Sequence, residues 1–431
     1  MAKGKTNTKK KTRKKTNKKE SIFSNLKDKF ISAKKSILGE SDDNTTFSII
    51  EVIIVIFISI LFGIMIGYLI NYTNNPRDSR VEEIVNTYNE IVDEYYSDVD
   101  KDKLSDAAIK GMIESLEDPY SNYMDDQTAD EFNEKIDGTF VGIGVVVMYN
   151  GEYNQVIEVY EGEPAEKAGI KVDDKIIAVD GTDVKEVYGE DLVGLIRGKA
   201  GTTVKIKVLR GEEEKEFTIK RDKVDIKSVD SKVYEEDGKK IGYIRIDNFA
   251  ANTYTQFNKT IKKLEKKNID SLILDVRSNP GGHLLQTRQI LSMFFNRKTV
   301  LYQIKSKNKT TKIRSYTNTT RDYPVVVLID GGSASASEIL ASCFKDNYKK
   351  ATIIGTTSYG KGSVQKSQSL KSGNSIKYTT EKWLTSKGKW LNEKGVKPDV
   401  EIQLSDEYFE NPSDETDNQL QEAIKQLKES K

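Results

Sequence analysis

The sequence predicts an α/β protein with an inserted β-rich domain, an N-terminal helical region and one transmembrane helix. The α/β assignment follows from apolar strands that alternate with longer helical segments after residue 230. Short Val and Ile runs between glycine turns at 142–220 predict the β-rich domain. The 19 uncharged, mostly apolar residues of Val52–Ile70 predict the membrane helix.

The chain's 431 residues are enough for several domains. We divide them into a basic cytoplasmic tail at 1–47, a membrane anchor at 48–72, a helical region at 78–137, the β-rich domain at 138–222, the α/β domain at 223–405 and a C-terminal helix at 406–431. Cys343 and His283 are the only cysteine and histidine, which excludes an internal disulfide and leaves too few ligands for zinc or copper. We predict no metal and no cofactor, and only an all-oxygen metal site stays open.

The charge pattern orients the membrane segment. The first 45 residues hold 14 Lys and Arg against 5 Asp and Glu. Because cationic flanks stay on the cytoplasmic side, everything after about Tyr72 is predicted to be extracytoplasmic on a single-pass anchor in the cell membrane. A cleaved signal peptide is the alternative, but residues 71–74 do not resemble a cleavage site. The Lys-rich run at 3–19 is interpreted as a solvated orientation signal, with contact to anionic lipid as the alternative, and no nucleic-acid partner is predicted.

The remaining elements follow from hydrophobic periodicity. Residues 81–96 place apolar side chains at helical spacing, and a second helical stretch covers 104–116. A domain boundary is predicted near residue 137, where a glycine-rich sequence with strand-like Val and Ile runs begins. Apolar strands are predicted further along the chain, at 243–246, 272–276, 325–329 and 352–354.

A candidate nucleophile lies in the segment 324–341, where a buried-type strand runs into a Gly-Gly turn and then a helix. A serine on such a turn projects from the strand end, and the following amide, unpaired at the helix N-terminus, can face an oxyanion. The alternative is that Ser333, Ser335 and Ser337 only cap the helix.

A serine nucleophile needs a base, and two candidates exist. His283 is the one centre that a Ser-His-Asp arrangement could use, whereas Lys361 lies between two glycines just past a predicted strand. A buried lysine can be neutral and act as the base. The Gly281-Gly282 pair in the turn 277–282 is a candidate source of a second amide donor, or simply a tight turn.

Several segments together resemble the carboxyl-terminal processing peptidases, the tail-specific serine proteases that carry a PDZ domain. The likeness runs from about residue 80 to 405, and its stretches occur in the family's order. They are AAIKGMIESLEDPYSNYM at 107–124, GIGV at 142–145, GEPAEKAGIKVDDKIIAVDG at 162–181, RSNPGG at 277–282, GGSASASEI at 331–339 and YGKGSVQ at 359–365.

The resemblance implies a crotonase-like serine protease core at 223–405, preceded by its N-terminal helical region and interrupted by a PDZ-like domain. It implies that Ser335 is the nucleophile, Lys361 the general base and Gln365 the residue that orients the amine. It places the oxyanion donors at the amides of Ala336 and of Gly281 or Gly282, without deciding between the glycines. Glu338 is implied as a supporting residue near the lysine.

The resemblance also implies the partners. Polypeptides with exposed C-terminal tails would bind the PDZ-like domain by strand addition, their carboxylate held by amides of the loop Gly142, Ile143, Gly144 and Val145. Family members often dimerise through terminal helices, which indicates 81–96 and 420–427 as surfaces for a homodimer. The expected function is a membrane-anchored endopeptidase. The alternatives are an inactive PDZ scaffold that binds tails and a crotonase-like hydrolase of small esters.

Overall fold

The computed structural model describes residues 28–29, 31–32, 49–74 and 79–430, and the chain forms two compact units, 1–99 and 100–431. Nearly all of the predicted tail at 1–47 lies outside the described residues. The helices of the described residues include α1 (Ile49–Asn74), α2 (Ser79–Glu94), α3 (Lys101–Glu114), α4 (Asp126–Asp137), α5 (Pro164–Ala168), α6 (Glu190–Ile196), α7 (Thr253–Glu265), α8 (Leu284–Ser292), α9 (Ala336–Asn347), α10 (Asp406–Glu410) and α11 (Asn418–Glu429).

The strands of the described residues all belong to the second unit. They are β1 (Asn122–Met124), β2 (Thr139–Gly142), β3 (Val145–Tyr149), β4 (Asn154–Val159), β5 (Lys175–Val179), β6 (Thr182–Asp183), β7 (Thr203–Arg210), β8 (Glu213–Lys220), β9 (Asp222–Asp225), β10 (Val229–Glu236), β11 (Lys239–Ile246), β12 (Ser271–Asp275), β13 (Val300–Lys305), β14 (Thr310–Arg314), β15 (Val325–Ile329), β16 (Ala351–Gly355), β17 (Ser363–Ser369), β18 (Ser375–Thr385) and β19 (Val400–Glu401).

The first unit contains α1 and α2. The uncharged run predicted to span the membrane lies in α1, but no helix of the described ranges is long and apolar enough to cross a membrane. The amphipathic helix predicted at 81–96 is present as α2. None of its residues is buried within the chain, and Val81, Ile84 and Val85 each expose about half of their surface.

A six-stranded sheet forms the centre of the second unit, in the order β10-β11-β12-β15-β16-β19. β10 runs antiparallel to β11, and all other neighbours are parallel. Every residue of β12 and β15 is buried, as expected of parallel strands covered on both faces. The four apolar strands predicted after residue 230 correspond to β11, β12, β15 and β16, which lie side by side.

A second, antiparallel sheet covers one side of this core and was not predicted. Its order is β1-β18-β13-β14, with β17 also paired to β18. Trp383 of β18 is fully buried in the same apolar cluster as Phe257 of α7 and Phe344 of α9. The N-terminal helical region therefore contributes a strand, β1, to a sheet whose other strands lie between residues 300 and 385.

The C-terminal helix α11 covers the other face of the parallel sheet. Its apolar residues belong to one cluster with β11, β12, β15 and β16, and they are Leu420, Ala423, Ile424 and Leu427. The apolar face of 420–427, which was expected to serve a homodimer, is thus buried within the chain, and dimerisation through this helix stays a prediction.

The β-rich domain is inserted between α4 and β10. Its sheet has the order β3-β4-β5-β7-β8, with β6 paired to β5, so β3 is an edge strand. The two ends of the insertion pair with each other through β2 and β9, from Thr139 opposite Asp225 to Gly142 opposite Asp222. α4 ends at Gly138, whose φ of 68° is a left-handed conformation that glycine adopts without strain.

Candidate active site

Two turns meet at the carboxyl edge of the parallel sheet. The turn 277–282 follows β12, and the turn 330–335 follows the neighbouring strand β15. Because parallel neighbours end on the same side of a sheet, the two turns lie together. Hydrogen bonds join them, since the Ala334 amide donates to the Asn279 carbonyl oxygen at 3.0 Å.

The three candidate serines have different environments. Ser333 Oγ donates to the Val276 carbonyl oxygen at 2.7 Å, and Ser337 Oγ donates to that of Asn279 at 2.9 Å. Both residues are fully buried, so their hydroxyls hold the two turns together. Ser335 is only partly buried and has φ 53° and ψ −108°. A non-glycine residue in this region carries strain of the kind that collects at functional sites.

Glu338 links the serine turn to the lysine loop. This fully buried carboxylate accepts at Oε2 from the amides of Ser335, at 2.7 Å, and Lys361, at 2.9 Å. These two amide nitrogens are thus at most about 5.6 Å apart, the sum of the two distances. Oε1 accepts from the Gly360 amide at 2.7 Å and from Ser358 Oγ at 2.6 Å. One buried side chain therefore fixes the backbone of Ser335 against that of Lys361.

The glycines beside Lys361 allow the loop to pack closely. A Cβ atom at Gly362 would lie 2.4 Å from Trp390 Nε1, and one at Gly360, where φ is 89°, would lie 3.0 Å from the Glu393 backbone. Burial lowers the pKa of Lys361, and the charge of Lys377 lowers it further against the opposing attraction of Asp118 and Glu338. A lysine with a lowered pKa can act as a base when it is neutral.

Gln365 lies on β17, four residues after the lysine. Its Nε2 donates to Ser363 Oγ at 2.8 Å and to Thr379 Oγ1 at 3.0 Å. Among the residues that the structure describes, no hydrogen bond joins Gln365 to Lys361. Its carbonyl oxygen therefore keeps its accepting capacity.

The two glycines of the turn 277–282 differ in whether their amides are bonded and in what they pack against. The Gly281 amide donates to Asn279 Oδ1 at 2.8 Å, whereas the amides of Gly282 and Ala336 donate no hydrogen bond within the described part of the chain. A Cβ atom at Gly281 would lie 2.9 Å from the Ala336 nitrogen and 2.9 Å from Ser335 Cβ. The space between the two turns thus needs a glycine at 281.

His283 does not take part in this arrangement. It stands at the N-terminus of α8, where its backbone amide donates to the Phe249 carbonyl oxygen at 2.7 Å. Within 79–430 it forms no hydrogen bond with Ser335, and its buried Nε2 has no partner.

The loop 142–145 leads into β3, the edge strand of the β-rich domain. Two of its backbone carbonyl oxygens accept hydrogen bonds: that of Ile143 from the Ala165 amide at 2.8 Å, and that of Gly144 from the Tyr160 amide at 3.0 Å. The amides of Ile143 and Gly144 donate to nothing in the described ranges. Two free amides therefore lie where β3 begins.

The sequence matches known families over most of the second unit. Residues 240–402 match peptidase family S41, residues 140–220 match the PDZ domain, and residues 70–128 match the N-terminal domain of the activating protease CtpB. The β-rich domain is a PDZ domain, and the α/β core is a peptidase fold.

Named relatives agree with these matches. The chain is 38% identical to the carboxy-terminal processing protease CtpB of Bacillus subtilis, over 82% of this chain and 73% of that protein. It is 39% identical to CtpA of the same organism, over 76% of this chain and 70% of that protein. A solved photosystem II D1 C-terminal processing protease is 28% identical, with 72% of this chain and 84% of that chain covered and a TM-score of 0.44. The chain belongs to the C-terminal processing serine proteases of family S41.

Sequence reasoning assigned no role to the turn 118–121. The structure brings it to the lysine loop, where Lys361 Nζ lies 4.5 Å from the centroid of the Tyr120 ring. Both residues occur in stretches that resemble the family, at 107–124 and 359–365, but no spacing signal connects them.

Proposed function

We propose that the protein hydrolyses peptide bonds through an acyl-enzyme formed on Ser335, with Lys361 as general base. The observation that carries this proposal is the position of Glu338, which holds both residues' amides at a single carboxylate oxygen. The lowered pKa of Lys361 supports the role of the lysine.

In this mechanism the neutral amine of Lys361 takes the proton of Ser335 as Oγ attacks the substrate carbonyl carbon. The amides of Ala336 and Gly282 are the proposed oxyanion donors, since both are free and lie in the two joined turns. Lys361 then returns the proton to the leaving amine as the C–N bond breaks. Water next attacks the ester with Lys361 again as the base, and Ser335 recovers its proton.

Gln365 is proposed to orient the lysine. Its Nε2 is held by two hydroxyl groups, which leaves its carbonyl oxygen to accept from the lysine amine during the reaction. Active-site hydrogen bonds are often long in ligand-free structures and shorten when substrate binds.

Substrates are proposed to be polypeptides with a free C-terminal tail. β3 is an edge strand that can pair with an added strand, and the free amides of Ile143 and Gly144 lie at its start, next to Gly142 and Val145. Backbone amides of this kind bind a terminal carboxylate. The tail would thus be held by its end while the chain upstream reaches the catalytic turns.

We also propose a single-pass location in the cell membrane, with the catalytic unit extracytoplasmic. This rests on the sequence alone, through the uncharged run 52–70 and the cationic tail before it. A homodimer is proposed through the exposed apolar stripe of α2. Protease accessibility in intact cells tests the location. Light scattering of the purified protein measures its mass in solution and tests the homodimer.

The central experiment uses the full chain in detergent and a peptide with an apolar C-terminus. Products of the wild type and Ser335→Ala are compared by mass spectrometry. We expect only the wild type to cleave, and amidation of the peptide's C-terminus to slow cleavage. If both proteins bind the peptide and neither cleaves it, the chain acts as a scaffold and the proposed mechanism is wrong.

A further inference from the structure

A turn from the N-terminal helical region covers the amine of the proposed base. Lys361 Nζ lies 4.5 Å from the centroid of the Tyr120 ring, within the range of a cation–π contact. In the part of the chain that the structure describes, this amine forms no hydrogen bond or ion pair. The ring face therefore contacts the amine directly.

The turn itself is held in place by a short chain of hydrogen bonds. Asp118 accepts from Ser121 Oγ at 2.6 Å and from the Tyr120 amide at 3.1 Å. Ser121 Oγ in turn accepts from the Thr379 amide of β18 at 3.1 Å. Thr379 Oγ1 also accepts from Gln365 Nε2 at 3.0 Å. One residue of β18 thus holds both the turn that carries Tyr120 and the glutamine of the proposed triad.

We propose that the turn 118–121 positions the general base. The Tyr120 ring receives the ammonium group that Lys361 becomes when it accepts the serine proton, and Asp118 holds that ring in place. This inference rests on the proposed function, because it assigns the turn to the Ser335–Lys361 pair. Tyr120 and Asp118 are positioning residues, since they act through Lys361.

The charges around Lys361 give the turn a defined electrostatic effect. Lys377 of β18 disfavours the ammonium, whereas Asp118 of the turn and Glu338 of α9 favour it. Burial and the neighbouring hydroxyl of Tyr359 raise the pKa of Tyr120 to about 12, so the ring is neutral when it faces the amine. A neutral aromatic face also favours the ammonium. Loss of this face therefore lowers the pKa of Lys361.

The test compares Tyr120→Leu with Tyr120→Phe in the full chain. Leucine keeps water away from the amine but has no aromatic face, whereas phenylalanine keeps the face and loses only the hydroxyl. We expect Tyr120→Leu to lower kcat about 10- to 100-fold, with KM changed less than about threefold, because a displaced base transfers protons slowly. In the pH–rate profile of Tyr120→Leu, the acid limb, where the rate falls as Lys361 is protonated, moves to lower pH. Tyr120→Phe retains most of the wild-type rate and the wild-type acid limb.

Tyr123→Leu is the matched control, since Tyr123 lies three residues away on β1 and, in the described part of the chain, forms no ring contact with Lys361. The inference is wrong if the kcat of Tyr120→Leu equals or exceeds that of the wild type. A higher kcat would show that the ring keeps the amine away from Ser335. The inference is also wrong if Tyr120→Phe is as slow as Tyr120→Leu, or if Tyr123→Leu reproduces both the slower rate and the shifted acid limb. Lys361→Ala distinguishes failure of this inference from failure of the proposed function. If that variant cleaves at the wild-type rate, Lys361 is not the base and the proposed Ser335–Lys361 dyad is wrong.

Discussion

The turns 277–282 and 330–335, called the catalytic turns from their proposed role, and the loop 142–145 of the PDZ domain, called the PDZ loop, are each associated with two free backbone amides. The interactions that fix the backbone differ between the two regions. At the catalytic turns, buried side chains bond to backbone: Glu338 accepts from the amides of Ser335 and Lys361, and Ser333 and Ser337 donate to the carbonyl oxygens of the turn 277–282 and of Val276 just before it. In the loop 142–145, two backbone hydrogen bonds at the carbonyl oxygens fix the conformation. Side chains thus build the candidate catalytic site, whereas backbone geometry builds the candidate recognition site.

This difference predicts where single substitutions act. A change of side chain at the catalytic turns removes a reacting group or leaves a buried group unpaired, and both effects are large. In the loop, only a change that moves the backbone has an effect, because no side chain there is needed to bind a carboxylate. Binding and chemistry should therefore respond to different substitutions.

The largest expected effect comes from removing the reacting groups. Ser335→Ala and Lys361→Ala should each lower kcat at least about 10³-fold, since neither a nucleophile nor a base remains. Lys361→Arg should be equally inactive because arginine stays charged. Steady-state cleavage of a fluorogenic peptide measures this, with thermal unfolding as a check of the fold. Lys366→Ala, at an exposed lysine of β17, is the control and should keep the wild-type rate.

A smaller effect is expected at Glu338. Glu338→Gln keeps the shape of the side chain but replaces one accepting oxygen with a donor, which faces amides that also donate. We expect kcat to fall about 10²-fold and the free energy of unfolding to fall by about 2 kcal/mol. Chemical denaturation and kinetics measure the two changes, and Glu393→Gln, at an exposed carboxylate of the segment that follows β18, should change neither. An unchanged kcat in Glu338→Gln would contradict the view that this side chain builds the site.

The parallel sheet was predictable because its strands are continuous apolar runs, and β11, β12, β15 and β16 all lie where the sequence indicates. The antiparallel sheet was missed because β17, SVQKSQS, is polar and half exposed, so it has no hydrophobic period to detect. Tertiary pairing with β18, through which Trp383 reaches the core, decides its conformation instead.

The candidate site was predictable to a similar degree. Ser335 and Lys361 were indicated by short motifs, whose roles remain predictions, and the structure brings their backbones together. The proposal of Gly282 rather than Gly281 as an oxyanion donor rests on the hydrogen bond from the Gly281 amide to Asn279, which sequence cannot show. Tyr120 was missed because more than two hundred residues separate it from the lysine that it contacts.

The recognition loop should respond to backbone strain alone. Gly144 has φ 84°, and a Cβ atom there would lie 2.6 Å from Glu163 Cβ, so Gly144→Ala has to move the loop. We expect KM for a free-tail peptide to rise about tenfold with kcat little changed, and the penalty to vanish for an amidated peptide. Gly151→Ala is the control, because Gly151 has a similar φ of 93° with nothing within 4 Å of the added atom. Equal effects of the two variants would show that strain in the domain, not the loop, matters.

The smallest expected effect is a shift in the pH dependence of catalysis. Because neutral Lys361 is the proposed base, the rate rises as pH increases through its pKa, which lies below the ordinary lysine value of about 10.4. The charge of Lys377 contributes to this lowering, so Lys377→Gln raises the pKa of Lys361 and moves the acid limb of kcat/KM to higher pH. Lys366→Gln removes an exposed charge from β17 and should leave the limb in place. The affinity of the PDZ loop for a peptide tail should be the same in both variants, since neither charge lies in that loop. If Lys377→Gln changes this affinity and leaves the acid limb in place, the separation of the two sites is contradicted.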